Sequence, residues 1–370
     1  MLKAFSELWF NSALRLTTAH IECQNELWEQ AGVFLDNKTP AIKALNGRKV
    51  PSGTPSSRLP GTWTRSHYSS TVDTVTPRRR LAYWLFVPEQ LAAQQKAFPV
   101  VVMLHGCGQT AADFAGGTRM NALAVQQGFA VMYPQQLASD HASRCWPWYE
   151  QLLQRGGGEV ALVAGAIEKV VADHSLDRTR VYLVGLSAGA ALAQLVALHH
   201  PYLIAALCSH SGPVYGAADS RIGAFSVMQH GSRDAVRPIM HLLDEQPDFP
   251  GMPILIVHGD QDTVVRPTNA LQLAWQFCQA NVISTSAHEP LVACSATGNC
   301  DSYRITDYYQ HQKLMIRLCQ IRHLTHAWSG GDIAFRFNAE HGPDASSMLW
   351  EFFKKHVRLG NAGNAPFTSG

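Results

Sequence analysis

A serine set between two glycines, Gly185-Leu186-Ser187-Ala188-Gly189, is the stretch of this chain best suited to chemistry. A serine hydroxyl attacks a carbonyl only where a base takes its proton and donors stabilise the oxyanion. The flanking sequence gives this serine the right setting. Val181 to Val184 is a β-branched and aromatic run, which predicts a buried strand. Ala190 to Leu198 is alanine-rich, with Leu192, Leu195 and Leu198 at helical spacing, which predicts a helix. Strand, tight turn and helix make the motif a nucleophile elbow. The turn strains the serine backbone and projects its hydroxyl into open space. The helix start directs free N–H groups and a positive dipole end at the reacting centre. The same five residues in a loop would carry little meaning.

An acyl-transfer serine also needs a base and an orienting acid, which should follow in the order Ser, Asp or Glu, His, near strand ends. The apolar run Ile254 to Val257 leads into His258-Gly259-Asp260-Gln261-Asp262, where two carboxylates compete for the acid. A loop this short cannot aim both at one imidazole, and either could instead cap a turn. Downstream, Arg322-His323-Leu324-Thr325-His326-Ala327-Trp328 offers two histidines. The chain carries 17 histidines, so a lone one means little. His326 lies deeper in the loop, beside small residues and an aromatic, and is the better base. His323 is closer to the strand end and reads as structural. The oxyanion hole needs two backbone N–H groups. Ala188, directly after the nucleophile, supplies one. The loop Leu104-His105-Gly106-Cys107-Gly108-Gln109 supplies the other, with Cys107 acting through its amide. A reactive Cys107 thiol is the weaker reading, because nothing beside it in sequence is a base.

These residues must be held by a sheet. The continuous apolar run Phe98 to Leu104 reads as a strand buried on both faces, as in parallel sheets. Phe129 to Tyr133, Ile204 to Ser209, Ile254 to Val257 and Lys313 to Ile321 extend the series. Helices are predicted over 160–172, 268–280 and 345–357. Trp63 to Val72 and Arg80 to Val87 read as an antiparallel pair. Residues 212–250 lack strong periodicity and suggest a partial cap. Strands alternating with helices predict an α/β fold with a mostly parallel central sheet covered on both faces. The domain plan is an amphipathic helical segment over 1–35, a Pro/Gly/Ser-rich linker over 36–61, a catalytic domain over 62–358 and a tail over 359–370.

Composition narrows the function. With 370 residues, 46% hydrophobic and 16% charged, the chain can build one large core with appendages. A formal net charge of +2 gives no footprint for nucleic acid; Arg78-Arg79-Arg80 reads as a solvated turn. No run of 18 apolar residues predicts a membrane span. Polar residues interrupt the first thirty positions, so no signal peptide is predicted and a cytoplasmic location is expected ahead of an extracellular one, which stays open on the resemblance given below. The N-terminal helix could pair copies of the chain. Among the eight cysteines, Cys208 and Cys319 read as buried thiols, and Cys294 and Cys300 bracket a loop that a bridge could close. No C-x-x-C pair suggests zinc, and triad chemistry calls for no metal or cofactor.

The motifs taken together resemble a known family. Leu104-His105-Gly106-Cys107-x-Gln109, Cys145-Trp146-Pro147-Trp148-Tyr149, Arg155-Gly156-Gly157-Gly158-Glu159, the serine motif, His258-Gly259-x-x-Asp262 and His326-Ala327-Trp328-Ser329-Gly330-Gly331 are similar to the poly(3-hydroxybutyrate) depolymerase esterases. These are α/β-hydrolases related to feruloyl and acetylxylan esterases. The resemblance covers about residues 62–335. It implies the triad Ser187, Asp262 and His326, and so prefers Asp262 to Asp260. It also implies oxyanion amides at Cys107 and Ala188, a substrate-lining Trp328, and a hydroxyalkanoate, feruloyl or acetyl ester as substrate. Pro147 stands where the family more often has Asn, and Ser329 where Pro is common.

Overall fold

The computed structural model describes residues 59–70, 80–92, 97–283, 291–292 and 302–358. The expected helix over 1–35, nearly all of the linker, the tail over 359–370 and the Cys294–Cys300 loop lie outside the described residues.

Two strands, β1 (Gly61–Ser69) and β2 (Arg80–Pro88), pair antiparallel at one side of a sheet. The chain then winds through β3 (Val100–Leu104), α1 (Ala111–Thr118), α2 (Met120–Gln127), β4 (Ala130–Gln135), α3 (Glu159–Asp173), β5 (Val181–Leu186), α4 (Ala188–His199) and β6 (Ala206–His210). Next come α5 (Arg221–His230), α6 (Val236–Glu245), β7 (Ile254–Gly259), α7 (Thr268–Ala280), β8 (Leu291–Val292), β9 (Tyr303–Gln310) and β10 (Lys313–Ile321). A small parallel pair, β11 (Trp328–Ser329) with β12 (Asn338–Ala339), precedes α8 (Ala345–Phe353). The main sheet runs β1-β2-β4-β3-β5-β6-β7-β10-β9-β8 among the described residues. Its centre, from β4 to β10, is parallel, and its flanks are antiparallel.

The apolar runs explain the two-sided cover. Side chains alternate across a strand, so a strand apolar at every position needs a core on each face. Val100, Val102 and Leu104 of β3 join Val181 and Leu183 of β5 in one core, with residues from α3, α4 and α7. Val101 and Met103 join Tyr182, Val184 and Leu186 in the other, with residues from α1, α2 and α8. Burying a Val or Leu side chain stabilises by roughly 1.5–3 kcal/mol, so each central strand is held from both sides. The helix α8 closes the second face: Trp350 stacks on Phe129 at 4.2 Å and Phe353 on Tyr182 at 4.8 Å.

Several features go beyond the sequence reading. Residues 212–250 contain the ordered helices α5 and α6. The pair α1 and α2 had not been expected, although Thr110 and Asp113 form a capping box at its start. The antiparallel β9 was also missed. It is held to β10 by a two-pronged ion pair, Arg317 Nε and Nη2 donating to Asp307 at 2.8 and 2.6 Å. Among the described residues, no helix is long and apolar enough to cross a membrane.

Candidate active site

The strand β5 is buried along its whole length and ends at Leu186. Ser187 follows with φ 56° and ψ −120°, and α4 starts at the next residue. A non-glycine residue at positive φ is strained and persists only where its surroundings hold it there. Here the Ser187 N–H donates to the His210 carbonyl at 3.0 Å, and the Ser187 carbonyl accepts from Ala190 at 2.9 Å and Ala191 at 3.1 Å. Close backbone approach explains the two glycines. A Cβ on Gly185 would collide with the Gly189 carbonyl, and one on Gly189 with the Leu104 and His105 carbonyls. The elbow therefore packs directly against the loop that follows β3.

That loop is pinned from several sides. Gly106 N–H donates to Gln109 Oε1 at 2.9 Å, and Gly108 N–H to the Ser143 carbonyl at 2.8 Å. Trp146 Nε1 donates to the His105 carbonyl at 3.0 Å. A disulfide joins Cys107 to Cys145. The buried His105 ring accepts the Gln136 N–H at Nε2, 3.1 Å away, and burial lowers its pKa to about 4. Among the described residues, neither the Cys107 nor the Ala188 N–H meets a hydrogen-bond acceptor. The bridge had escaped the sequence reading, although Cys107 and Cys145 both lie in the motifs quoted there.

The other groups lie on the same C-terminal edge of the parallel sheet, after β7 and β10. Asp260 N–H donates to the Ile321 carbonyl at 2.9 Å and Gln261 N–H to the Leu324 carbonyl at 3.1 Å, so the two loops are stitched together. Asp262 and His326 meet there, with Nδ1 of the imidazole 2.7 Å from Oδ2 of the carboxylate. The second carboxylate oxygen accepts the Val264 and Val265 N–H groups, each at 2.9 Å. Asp262 is buried, which by itself would lift its pKa. The His326 charge and hydrogen bond, the nearby His258 and the Val265 N–H outweigh burial and hold the carboxyl below the ordinary carboxylate range. Asp260 is exposed and accepts the His323 N–H at 2.7 Å, a loop-closing contact. His323 itself sits at φ 61° in the turn.

Two buried histidines had not been singled out. His258 Nε2 donates to the Val265 carbonyl at 2.7 Å and stands 3.5 Å from Asp262 Oδ2. Burial keeps its pKa below the ordinary histidine value. His210 ends β6 and receives the Ser187 N–H on its carbonyl. Its type and place after an apolar run were the only sequence signal.

Trp328 departs from its expected place at the mouth of the site. The ring is 1% exposed, stacked on His210 at 4.8 Å and edge-on to Phe114 at 5.6 Å. Its backbone pairs with β12, and that pairing turns the side chain into the core beneath the histidine loop.

The comparisons with known proteins agree with this architecture. The family described as esterase PHB depolymerase matches residues 81–290, more than half of the chain. The chain belongs to that family. Poly(3-hydroxyalkanoate) depolymerase C of Paucimonas lemoignei is 29% identical to this PHB depolymerase family member over 233 residues, 56% of this chain and 53% of the relative. The chain thus spans about half the length of that relative. Feruloyl esterase B of Neurospora crassa is 28% identical over 52% of this chain and 68% of its own. Among solved structures, the acetyl xylan esterase from Aspergillus awamori superposes with a TM-score of 0.63 at 20% identity, covering 79% of this chain and 99% of that one. The fold of this family member is the α/β-hydrolase fold, with a mostly parallel central sheet between helical layers.

Proposed function

We propose that this chain is a serine carboxylic-ester hydrolase with Ser187 as nucleophile, His326 as base and Asp262 as orienting acid. The observation that carries this reading is the 2.7 Å contact between His326 Nδ1 and the buried Asp262 carboxylate, on the sheet edge that bears the strained Ser187. Asp262 holds the imidazole in the tautomer whose Nε2 is free to accept a proton. His326 takes the Ser187 proton as Oγ bonds to the ester carbonyl carbon. The displaced carbonyl electrons form an oxyanion, which accepts from the Cys107 and Ala188 N–H groups. Collapse breaks the ester C–O bond, and His326 returns the proton to the departing alcohol. Water, deprotonated by His326, then splits the acyl-enzyme into the carboxylic acid and free Ser187. This acyl transfer draws on no metal or cofactor.

The proposed substrate is a 3-hydroxybutyrate oligomer or polymer, in line with the Paucimonas relative. A feruloyl or acetyl sugar ester is the second candidate, in line with the feruloyl esterase relative. Turnover of p-nitrophenyl butyrate, hydroxybutyrate oligomers, feruloyl sugars and acetylated xylan separates them. The wild type should cleave the oligomers best. Release of feruloyl or acetyl groups with the oligomers untouched would reassign the substrate. Ser187→Ala should lose on the order of 10⁶ in turnover on every ester while staying folded. Near-normal rates in that variant would overturn the mechanism.

We also infer that the chain works in an oxidising compartment, in place of the cytoplasmic location expected from its N-terminal residues. The Cys107–Cys145 bridge supports this, because structural disulfides persist where thiols are not kept reduced.

A further inference from the structure

One buried imidazole touches both loops that must be aligned for acyl transfer. His210 is fully buried at the end of β6, between the strands that carry Ser187 and Asp262. Its carbonyl accepts the Ser187 N–H at 3.0 Å, so its backbone helps hold the strained elbow. Its ring Nε2 accepts the Ser329 N–H at 3.3 Å, three residues after His326. An imidazole nitrogen that accepts carries no proton, so the ring proton is on Nδ1, which donates to Ser211 Oγ at 3.1 Å. The ring face stacks on Trp328 at 4.8 Å with planes 21° apart. The next residue, Ser211, is at φ 52° and donates its N–H to the Val257 carbonyl at 2.9 Å, which fastens this turn to β7.

We propose that His210 is a positioning residue, which sets the Ser187 elbow and the His326 loop in register through its backbone carbonyl and an uncharged ring. This rests on the reading of Ser187 and His326 as nucleophile and base. The role requires a neutral ring, since protonation of Nε2 would remove the acceptor for Ser329. Burial, with His258 and His326 adding to it and the Asp262 carboxylate opposing, brings the His210 pKa down to about 3, so the ring stays neutral at any ordinary working pH. An aromatic core residue of the same size could stack on Trp328 equally well. It could not accept the Ser329 N–H.

The test compares His210→Phe, which keeps the ring face and loses the acceptor, with His210→Gln, whose Oε1 can accept from Ser329 but cannot stack. Each full-length protein is titrated with diethyl p-nitrophenyl phosphate to count reactive Ser187. The kcat per titrated site and the KM are then measured on p-nitrophenyl butyrate, with Ser187→Ala as the blank. His210→Phe should lose about tenfold to a hundredfold in kcat per titrated site, the scale of a small misplacement of reacting groups. Its KM should stay within about twofold of wild type, and His210→Gln should recover most of the loss. A purely structural role lowers the melting temperature or the number of titratable sites and leaves kcat per site unchanged. That outcome in His210→Phe, or a His210→Gln protein no better than His210→Phe, would overturn the proposal. Should His210→Phe fail to fold, a His210→Gln protein with kcat per site far below wild type would also overturn it. A wild type that neither hydrolyses the ester nor is titrated would instead refute the proposed function itself.

Discussion

Asp260 and Asp262 stand one residue apart in opposite surroundings. Asp262 is buried with both oxygens engaged, one by His326 and one by two backbone N–H groups. Asp260 is in solvent and caps a neighbouring turn. Asp262→Asn should therefore cost on the order of 10⁴ in kcat, the scale seen when an orienting acid no longer selects the tautomer. Asp260→Asn should keep activity within a few-fold. Steady-state rates on one soluble ester decide it, and a larger loss from the Asp260 change would reverse the assignment. Trp328 marks a limit of reading residues one by one. Its type and place after His326 are compatible with lining a substrate or with propping a loop, and only the packing on His210 and Phe114 separates the two. Trp328→Ala should lower activity on short and long esters alike and destabilise by roughly 3–5 kcal/mol, as deletion of a buried Trp does. A selective loss on oligomers with an unchanged melt would restore the substrate role.

Elements with a strong periodic signal were legible from sequence, and those held by long-range contacts were not. The strands β3, β5 and β7 are buried along their whole length and open on unbroken apolar runs, which only a two-sided core accommodates, so they could be read directly. The strand β9, Tyr303–Gln310, mixes Arg, Thr, Asp and Gln with its aromatics. It is a strand because it pairs with β10 and because Asp307 has Arg317 across the ladder, two facts that no local pattern contains. The loop after β3 stood out in the sequence from its glycines and its place, and its oxyanion role is a proposal. Its fastening to residues 143–146 was not legible, since a pairing among eight cysteines cannot be deduced from their count. That fastening is open to experiment. The bridge closes a loop with sequence separation 38, which in the chain-entropy view stabilises by roughly 4 kcal/mol. Cys145→Ser, or incubation of the wild type with dithiothreitol, should lower the melting temperature and reduce kcat more than it raises KM, because the Cys107 amide loses its fixed position. A reduced protein with undiminished kcat would show that the loop holds its shape without the bridge.

Across the whole molecule, buried neutral histidines tie stability to pH. Burial brings His105 down to about 4 and His210 and His356 to about 3. An unfolded chain titrates its histidines near 6.5. Between these limits the unfolded state binds protons that the native state refuses, so stability is fully present above about pH 6.5 and declines as pH falls. Each such histidine can contribute a slope of up to about 1.4 kcal/mol per pH unit. Asp262, with its lowered carboxyl, adds a loss in the same direction at more acid pH. Thermal melts from pH 8 to pH 5 should show a falling midpoint that steepens below 6.5, and a flat profile over that range would contradict the neutral histidines. The alternation of strands and helices made the layered architecture readable at this scale, while the imidazoles became visible only once distant segments were packed around them.

On the proposed mechanism, the strand order also decides when the chain first becomes active during its synthesis. Ser187 leaves the ribosome 139 residues before His326, in the turn after the central strand β5. Its proposed base, His326, rides on the loop after β10, at the far end of the parallel series β5-β6-β7-β10. Each neighbouring pair in that series is separated by a long stretch of chain, so the contacts that bring Ser187, Asp262 and His326 to one sheet edge are not local, and pairing of this kind is slow. A nascent chain that has already folded its elbow still lacks the imidazole. On the proposed mechanism, hydrolytic activity appears only once the loop after β10 has joined the sheet, and its recovery after dilution from denaturant reports the end of folding rather than its beginning.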